Sequence, residues 1–118
     1  MKSIDNIKKD TVKKMKKLNL YNKSFDKIID VYSNLIFQYD KTLNKFIEEG
    51  EKYVVEHTNK NGSTNLSKNP LYLILEKQRT DIITYSRELG LSPVGFNKLS
   101  DELLDVKKSK LEKALSDL

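Results

Sequence analysis

The sequence predicts an all-α subunit: a long antiparallel helical hairpin with a basic amino-terminal helix, a small β-hairpin insertion and a carboxy-terminal helix. Three observations carry this. Two stretches, about Phe25 to Glu49 and Leu71 to Leu89, contain no glycine or proline and keep apolar residues at alternating three- and four-residue spacing. The segment between them is β-prone and contains Asn61-Gly62. The excess positive charge is confined to the first 23 residues, which hold eight lysines against Asp5 and Asp10, while the remaining 95 residues carry a net charge of −1.

In the first element, Ile4, Ile7, Met15 and Leu18, with Thr11 between them, fall near one helical stripe, and Lys9, Lys13, Lys16 and Lys17 line the opposite face. A basic amphipathic helix of this length is marginal alone, so its apolar stripe must dock on the body or on a neighbouring subunit. Asn19 to Lys23 reads as the turn after it, with Ser24 as a capping hydroxyl and Asp26 as a first-turn negative charge for the next helix.

The second helix places Phe25, Ile28, Tyr32, Leu35, Tyr39 and Phe46 on one band, with Ile29, Ile36, Leu43 and Ile47 beside it. At 1.5 Å per residue it spans about 37 Å, and its successor about 30 Å, so the two suit antiparallel packing. Gly50 to Lys68 is too long for a plain connection. Tyr53 to Thr58 reads as a strand, Asn61-Gly62 as its turn, and Ser63 to Leu66 as the returning strand.

The third helix has both ends marked. Asn69 is placed to cap and Pro70 suits the first helical position, while Gly90 can close in the left-handed conformation ahead of Pro93. Leu71, Ile74, Leu75, Gln78, Ile82, Tyr85 and Leu89 share one face. Leu73 and Ile83 lie off that stripe, as Ile29 and Ile36 do in the second helix; these four are the expected oligomer interface, because a two-helix pair cannot cover them. After Pro93 a short helical turn, Val94 to Leu99, is expected to lead to a last helix from about Asp101 to Leu118, with Leu104, Leu111, Leu115 and Leu118 on one stripe. Read alone, that stripe either packs back on the bundle or seeks a groove on another protein.

The chain of 118 residues is one domain by size, organised as a basic helix (1–23), a helical core with its hairpin insertion (24–99, insertion about 51–68) and a carboxy-terminal helix (100–118). Cysteine is absent, which excludes disulfides, thiolate zinc sites and cysteine nucleophiles. No run has the length and apolarity of a signal peptide or a membrane span, so a soluble protein without membrane attachment is expected. The single histidine, His57, has no matching ligand set and reads as an exposed strand residue; no glycine-rich phosphate loop occurs. No catalytic residue, metal site or cofactor is expected.

The wording of several segments resembles the phage terminase small subunits. They are Lys16 to Tyr21 followed by Phe25-Asp26, then Gln38-Tyr39-Asp40, Phe46 to Gly50, Leu75 to Ser86 and Leu89 to Pro93, in family order across roughly residues 12 to 99. Family members similarly carry a β-prone segment and a glycine turn in the insertion. Where they commonly have a glycine before the position of Tyr21, this chain has Asn19-Leu20.

The resemblance implies an adaptor without ATPase or nuclease activity. It would assemble into a ring or other homo-oligomer, hold double-stranded viral DNA, and present it to the large terminase subunit, modulating that subunit's activities, in the cytoplasm of an infected or lysogenic bacterial host. On that reading Lys8, Lys9, Lys13, Lys14, Lys16, Lys17 and Lys23 contact DNA phosphates, and Leu111, Leu115 and Leu118 engage the large subunit. Two other readings stand beside it: a small dimeric DNA-binding transcriptional regulator, which needs a recognition helix after a tight turn, and a purely structural helical module whose lysines only solubilise it.

Overall fold

The computed structural model describes residues 1–117. Its elements are α1 (Ile4–Lys17), a 3-10 turn (Lys23–Phe25), α2 (Asp26–Glu48), β1 (Val54–Thr58), β2 (Thr64–Lys68), α3 (Pro70–Glu88) and α4 (Pro93–Ser116). The molecule is elongated, 83 × 26 × 21 Å.

Helix α2 is the central element. Contacts pair Phe46 with Tyr72, Thr42 with Gln78 and Tyr39 with Arg79, so α3 runs antiparallel along it. Helix α1 also runs antiparallel to α2, with Met1 beside Asn44 and Lys8 beside Asp30. The core cluster is Met15, Leu20, Ile29, Tyr32 and Leu89, drawn from α1, its following turn, α2 and the end of α3. Thr11 and Ser33 are also buried, and each hydroxyl is satisfied by the carbonyl four residues earlier on its own helix, Ile7 at 2.8 Å and Ile29 at 2.7 Å. Small side chains that consume their own polarity let two helices approach without an orphaned group.

The expected oligomer set divides here. Leu73 and Ile83 are exposed, at 43% and 53%. Ile29, at 2% exposure, lies in the subunit's own core, and Ile36 is half-buried against it. The reason is a third layer: α1 covers the side of α2 that a helical pair alone would leave bare. Ile74, placed on the buried stripe from sequence, is instead 46% exposed.

Three helices end in the same way. After α1, Leu20 N–H donates to Met15 O (2.9 Å) and Asn19 N–H to Lys16 O (3.1 Å), with Asn19 at φ 57°. The same paired bonds close α2 through Gly50 and Glu51, and α3 through Gly90 and Leu91. This is the Schellman arrangement, which needs a left-handed residue just past the helix. Asn19 supplies it without glycine. Asn22 caps the 3-10 turn that leads into α2, its side chain accepting from Ser24 N–H at 2.8 Å, while α2 itself starts after Phe25 with no side-chain cap; the Ser24 hydroxyl does not cap the helix but donates to the same Asn22 oxygen.

The hairpin pairs Val54 with Lys68 through Thr58 with Thr64. The second strand therefore starts and ends later than the sequence suggests. Its connection is closed by Asn59 N–H to Ser63 O (2.7 Å) and Gly62 N–H to Asn59 O (2.9 Å), with Gly62 rather than Asn61 in the left-handed region. Asn61 instead accepts from the backbone and hydroxyl of Ser63. Both faces of the ribbon are largely open to solvent.

Helix α4 differs most from expectation. No break separates residues 94–99 from the final segment: one helix of 24 residues runs from Pro93 to Ser116. With no glycine or proline after Gly95, propagation adds a bond per residue, whereas stopping would require a second costly nucleus. Residues 101–117 are all exposed; Leu103 and Val106 still border a cleft with Leu20 and Phe25, and beyond them the arm does not pack back on its own bundle.

Candidate nucleic-acid interface

The basic face is built by the register of α1. Ser3 caps the helix by accepting from Asn6 N–H at 3.2 Å, Asp5 sits in the first turn, and Lys14, Lys16 and Lys17 occupy the last turn, where the helix dipole favours cations. Ile7, Thr11 and Met15 are buried four residues apart, which turns the opposite side outward. There Lys8, Val12 and Lys16 form one row at four-residue spacing and Lys9, Lys13 and Lys17 a second. The six residues line an open groove of about 730 Å³, its floor formed by Val12 and the lysine stems.

The lysines are not equivalent. Lys2 pairs with Asp10 at 2.6 Å, and the bond holds the Asp10 carboxyl below the usual carboxylate range. Lys8 pairs with Asp30 across the α1–α2 contact, and that hydrogen bond holds its ammonium above the ordinary lysine value. Lys16 lies over the Tyr21 ring, 5.4 Å from its centroid, while Tyr21 donates to Asp26 at 2.7 Å; the bond to that carboxylate raises the phenol's pKa. Among the described residues Lys9, Lys13, Lys14, Lys16, Lys17 and Lys23 make no ion pair. Lys23 stands on the 3-10 turn. Like charges four residues apart on a helix repel, each pair costing roughly 0.2–0.5 kcal/mol, so the arrangement favours an anion that neutralises both rows.

Of the remaining expected site residues, Leu111 and Leu115 are exposed on the α4 arm, at 61% and 59%, and Leu118 lies outside the described residues. His57 is exposed on β1. Sequence reasoning missed Val12, Asp30 and Ser33. Ser33 follows Ile29 by one helical turn and was readable as a small residue in the stripe; nothing in the sequence ties Asp30 to a lysine 22 positions away.

The family described as phage terminase, small subunit, matches the chain over residues 8–103, which takes in α1 from Lys8, α2, the hairpin, α3 and the root of α4. The chain belongs to this family. Comparison with curated proteins and with solved structures finds no match. The family match includes all six residues that line the α1 groove, from Lys8 to Lys17, and stops within α4, before Leu104, Leu111 and Leu115 of the small subunit's arm.

Proposed function

We propose that this terminase small subunit is a non-catalytic adaptor that holds double-stranded viral DNA on the outward face of α1 and presents it to the large terminase subunit, modulating that subunit's ATPase and nuclease during packaging. The observation that carries the reading is the double row of five lysines, four of which, Lys9, Lys13, Lys16 and Lys17, are free of carboxylate partners among the described residues. Such a face grips phosphates and releases counterions, and it has no side chain suited to reading base edges. Useful affinity in that case comes from many copies acting on one duplex. Several copies in a ring convert weak contacts into useful avidity. Exposed Leu73 and Ile83, joined by Ile74, are the surfaces proposed to meet neighbouring copies. The working compartment on this reading is the host cytoplasm.

The regulator reading is less well supported: the helix after the α1 turn is α2, whose early residues Ile29 and Tyr32 lie in the core instead of facing outward. The test is a salt series of duplex-DNA binding by fluorescence anisotropy, on the native chain and on a variant with Lys9, Lys13, Lys16 and Lys17 all changed to Gln. The variant is expected to lose most of its affinity, with the slope of log K against log salt falling by about 3–4, at roughly 0.9 per phosphate contact. Unchanged binding with unchanged slope rejects α1 as the DNA surface.

A further inference from the structure

The turn of the ribbon carries chemistry that packing does not require. Asn61 and Gly62 stand at its tip, both exposed. Asn61 Oδ1 accepts two hydrogen bonds from Ser63, one from its N–H at 3.1 Å and one from its hydroxyl at 2.6 Å. Gly62 lies at φ +86°, and a Cβ placed there would meet nothing within 4 Å, so neither a side chain of its own nor a neighbour shields its amide nitrogen. Each of the other nine asparagines precedes a residue that has a side chain. Asn34 and Asn44 also lie inside α2, where the helical backbone keeps the following nitrogen away from the side-chain carbonyl.

We propose that Asn61 is a site of spontaneous deamidation, promoted by Ser63, with water as the only co-reactant. Gly62 N, once its proton has passed to hydroxide, adds to Asn61 Cγ. The carbonyl electrons move onto Oδ1, where the two Ser63 donors already point, as in an oxyanion hole. Collapse of this adduct breaks the Cγ–Nδ2 bond, and Nδ2 leaves as ammonia with a proton taken from water. The product is a cyclic imide joining residues 61 and 62. Water then opens the ring at either carbonyl. Opening at Cγ gives aspartate; opening at the backbone carbonyl gives isoaspartate, with the chain running through Cγ. In sum, one amide and one water become one carboxylate and one ammonium ion.

The Gly62 N–H is bonded to Asn59 O at 2.9 Å and must come free before its proton can leave. That opening is local, because residues 59–63 form an exposed turn at the end of a two-stranded ribbon. Its consequences are local as well. With His57 neutral, residues 54–68 hold Lys60 and Lys68 against Glu56, so the new carboxylate cancels the ribbon's net positive charge. The iso form also lengthens the backbone by a methylene inside the turn that Asn59 N–H to Ser63 O closes at 2.7 Å. The foot of the ribbon, on Phe46, Tyr53 and Tyr72, is untouched.

The test holds the full-length chain at mildly alkaline pH and physiological temperature for days, then maps it by peptide mass spectrometry, with isoaspartyl methyltransferase as the probe for the iso form. Conversion to the acid is expected at Asn61 alone, with isoaspartate accumulating beside aspartate. The rate should be no lower than that of the same chain in urea, where Ser63 is not held against the amide. Ser63→Ala should slow conversion severalfold in the folded chain and leave the rate in urea nearly unmoved. Asn61→Gln should stay unmodified, since its side chain must close a larger ring. In the converted chain, amide exchange should rise in residues 59–63 and stay as it was in α1 and α2. The proposal is overturned if Asn61 survives in the folded chain while the chain in urea converts, because the bond from Gly62 to Asn59 would then protect it. It is equally overturned if Ser63→Ala converts as fast as the native chain, or if the change falls on other asparagines. None of these results depends on DNA or on the large subunit, so this proposal and the proposed function fail separately.

Discussion

Lys8 of α1 and Asp30 of α2 form an ion pair that both fastens the basic helix to the body and withdraws one lysine from the face it belongs to. Asp30→Asn is expected to free Lys8 for phosphate, raising DNA affinity at low salt and steepening the salt slope by about 1. The hydrogen bond to Asp30 holds Lys8 above the ordinary lysine value, so its contribution to docking α1 is fully present below that ordinary value. It is lost as pH rises through the higher value of the folded state. Urea unfolding should therefore show the native chain slightly more stable than Asp30→Asn at neutral pH and the two converging at strongly alkaline pH. A large difference that persists when Lys8 is deprotonated would mean that Asp30 acts through something other than this pair.

Asn19 ends α1 at φ 57°, a conformation that glycine adopts freely and other residues resist. Asn19→Gly is expected to be neutral or slightly stabilising. Asn19→Val should cost on the order of 1–2 kcal/mol, since a branched side chain meets the full left-handed penalty. Chemical denaturation checks both, and equal stability of the two variants would show that the turn is not under this constraint.

Gly95 lies where α4 crosses the end of α3. A Cβ there would come within 2.2 Å of the Arg87 carbonyl oxygen and 2.8 Å of its Cα, backbone atoms that have no rotamer with which to yield. Gly95→Ala is therefore expected to destabilise the fold by about 1–3 kcal/mol and to push the root of α4 off the body. Loss of cooperativity around Leu99 and Leu103 in amide exchange would mark the second effect. A variant as stable as the native chain would mean that α4 sits further from α3 than this.

The hairpin is held at its foot. Tyr53 and Tyr72 meet edge to face at 4.9 Å and 82°, and Phe46 stands 6.1 Å from each; Asn69 adds hydrogen bonds to Tyr53 O and Lys52 O, each of 2.8 Å. A lone two-stranded ribbon is marginal in water. Tyr72→Ala should accelerate amide exchange of residues 54–68 well before it changes exchange in α1 or α2. Uniform acceleration along the chain would show that the aromatic group supports the helical body instead.

Much of this arrangement was legible beforehand because its signals are local. Asn69-Pro70 and Gly90 mark the ends of α3 by backbone chemistry that acts within one helical turn, and the stripe of Ile7, Thr11 and Met15 already dictates that Lys9, Lys13 and Lys17 face outward. The hairpin was visible as a β-prone segment and a turn, but its register was not. Asn61-Gly62 suggested a tighter turn than the one formed, in which Gly62 alone takes positive φ.

The sequence by itself determined the two ends of α3, the outward direction of the lysines and the family to which the chain belongs, since each depends on residues close together along the chain or on their order. Only the tertiary structure decided that Ile29 is core, that Lys8 is spent on Asp30, and that the last helix is unbroken, rooted on the body and exposed over its final turns. Those outcomes turn on which elements cover one another. Periodicity says that a face must be buried, but it does not name the surface that buries it.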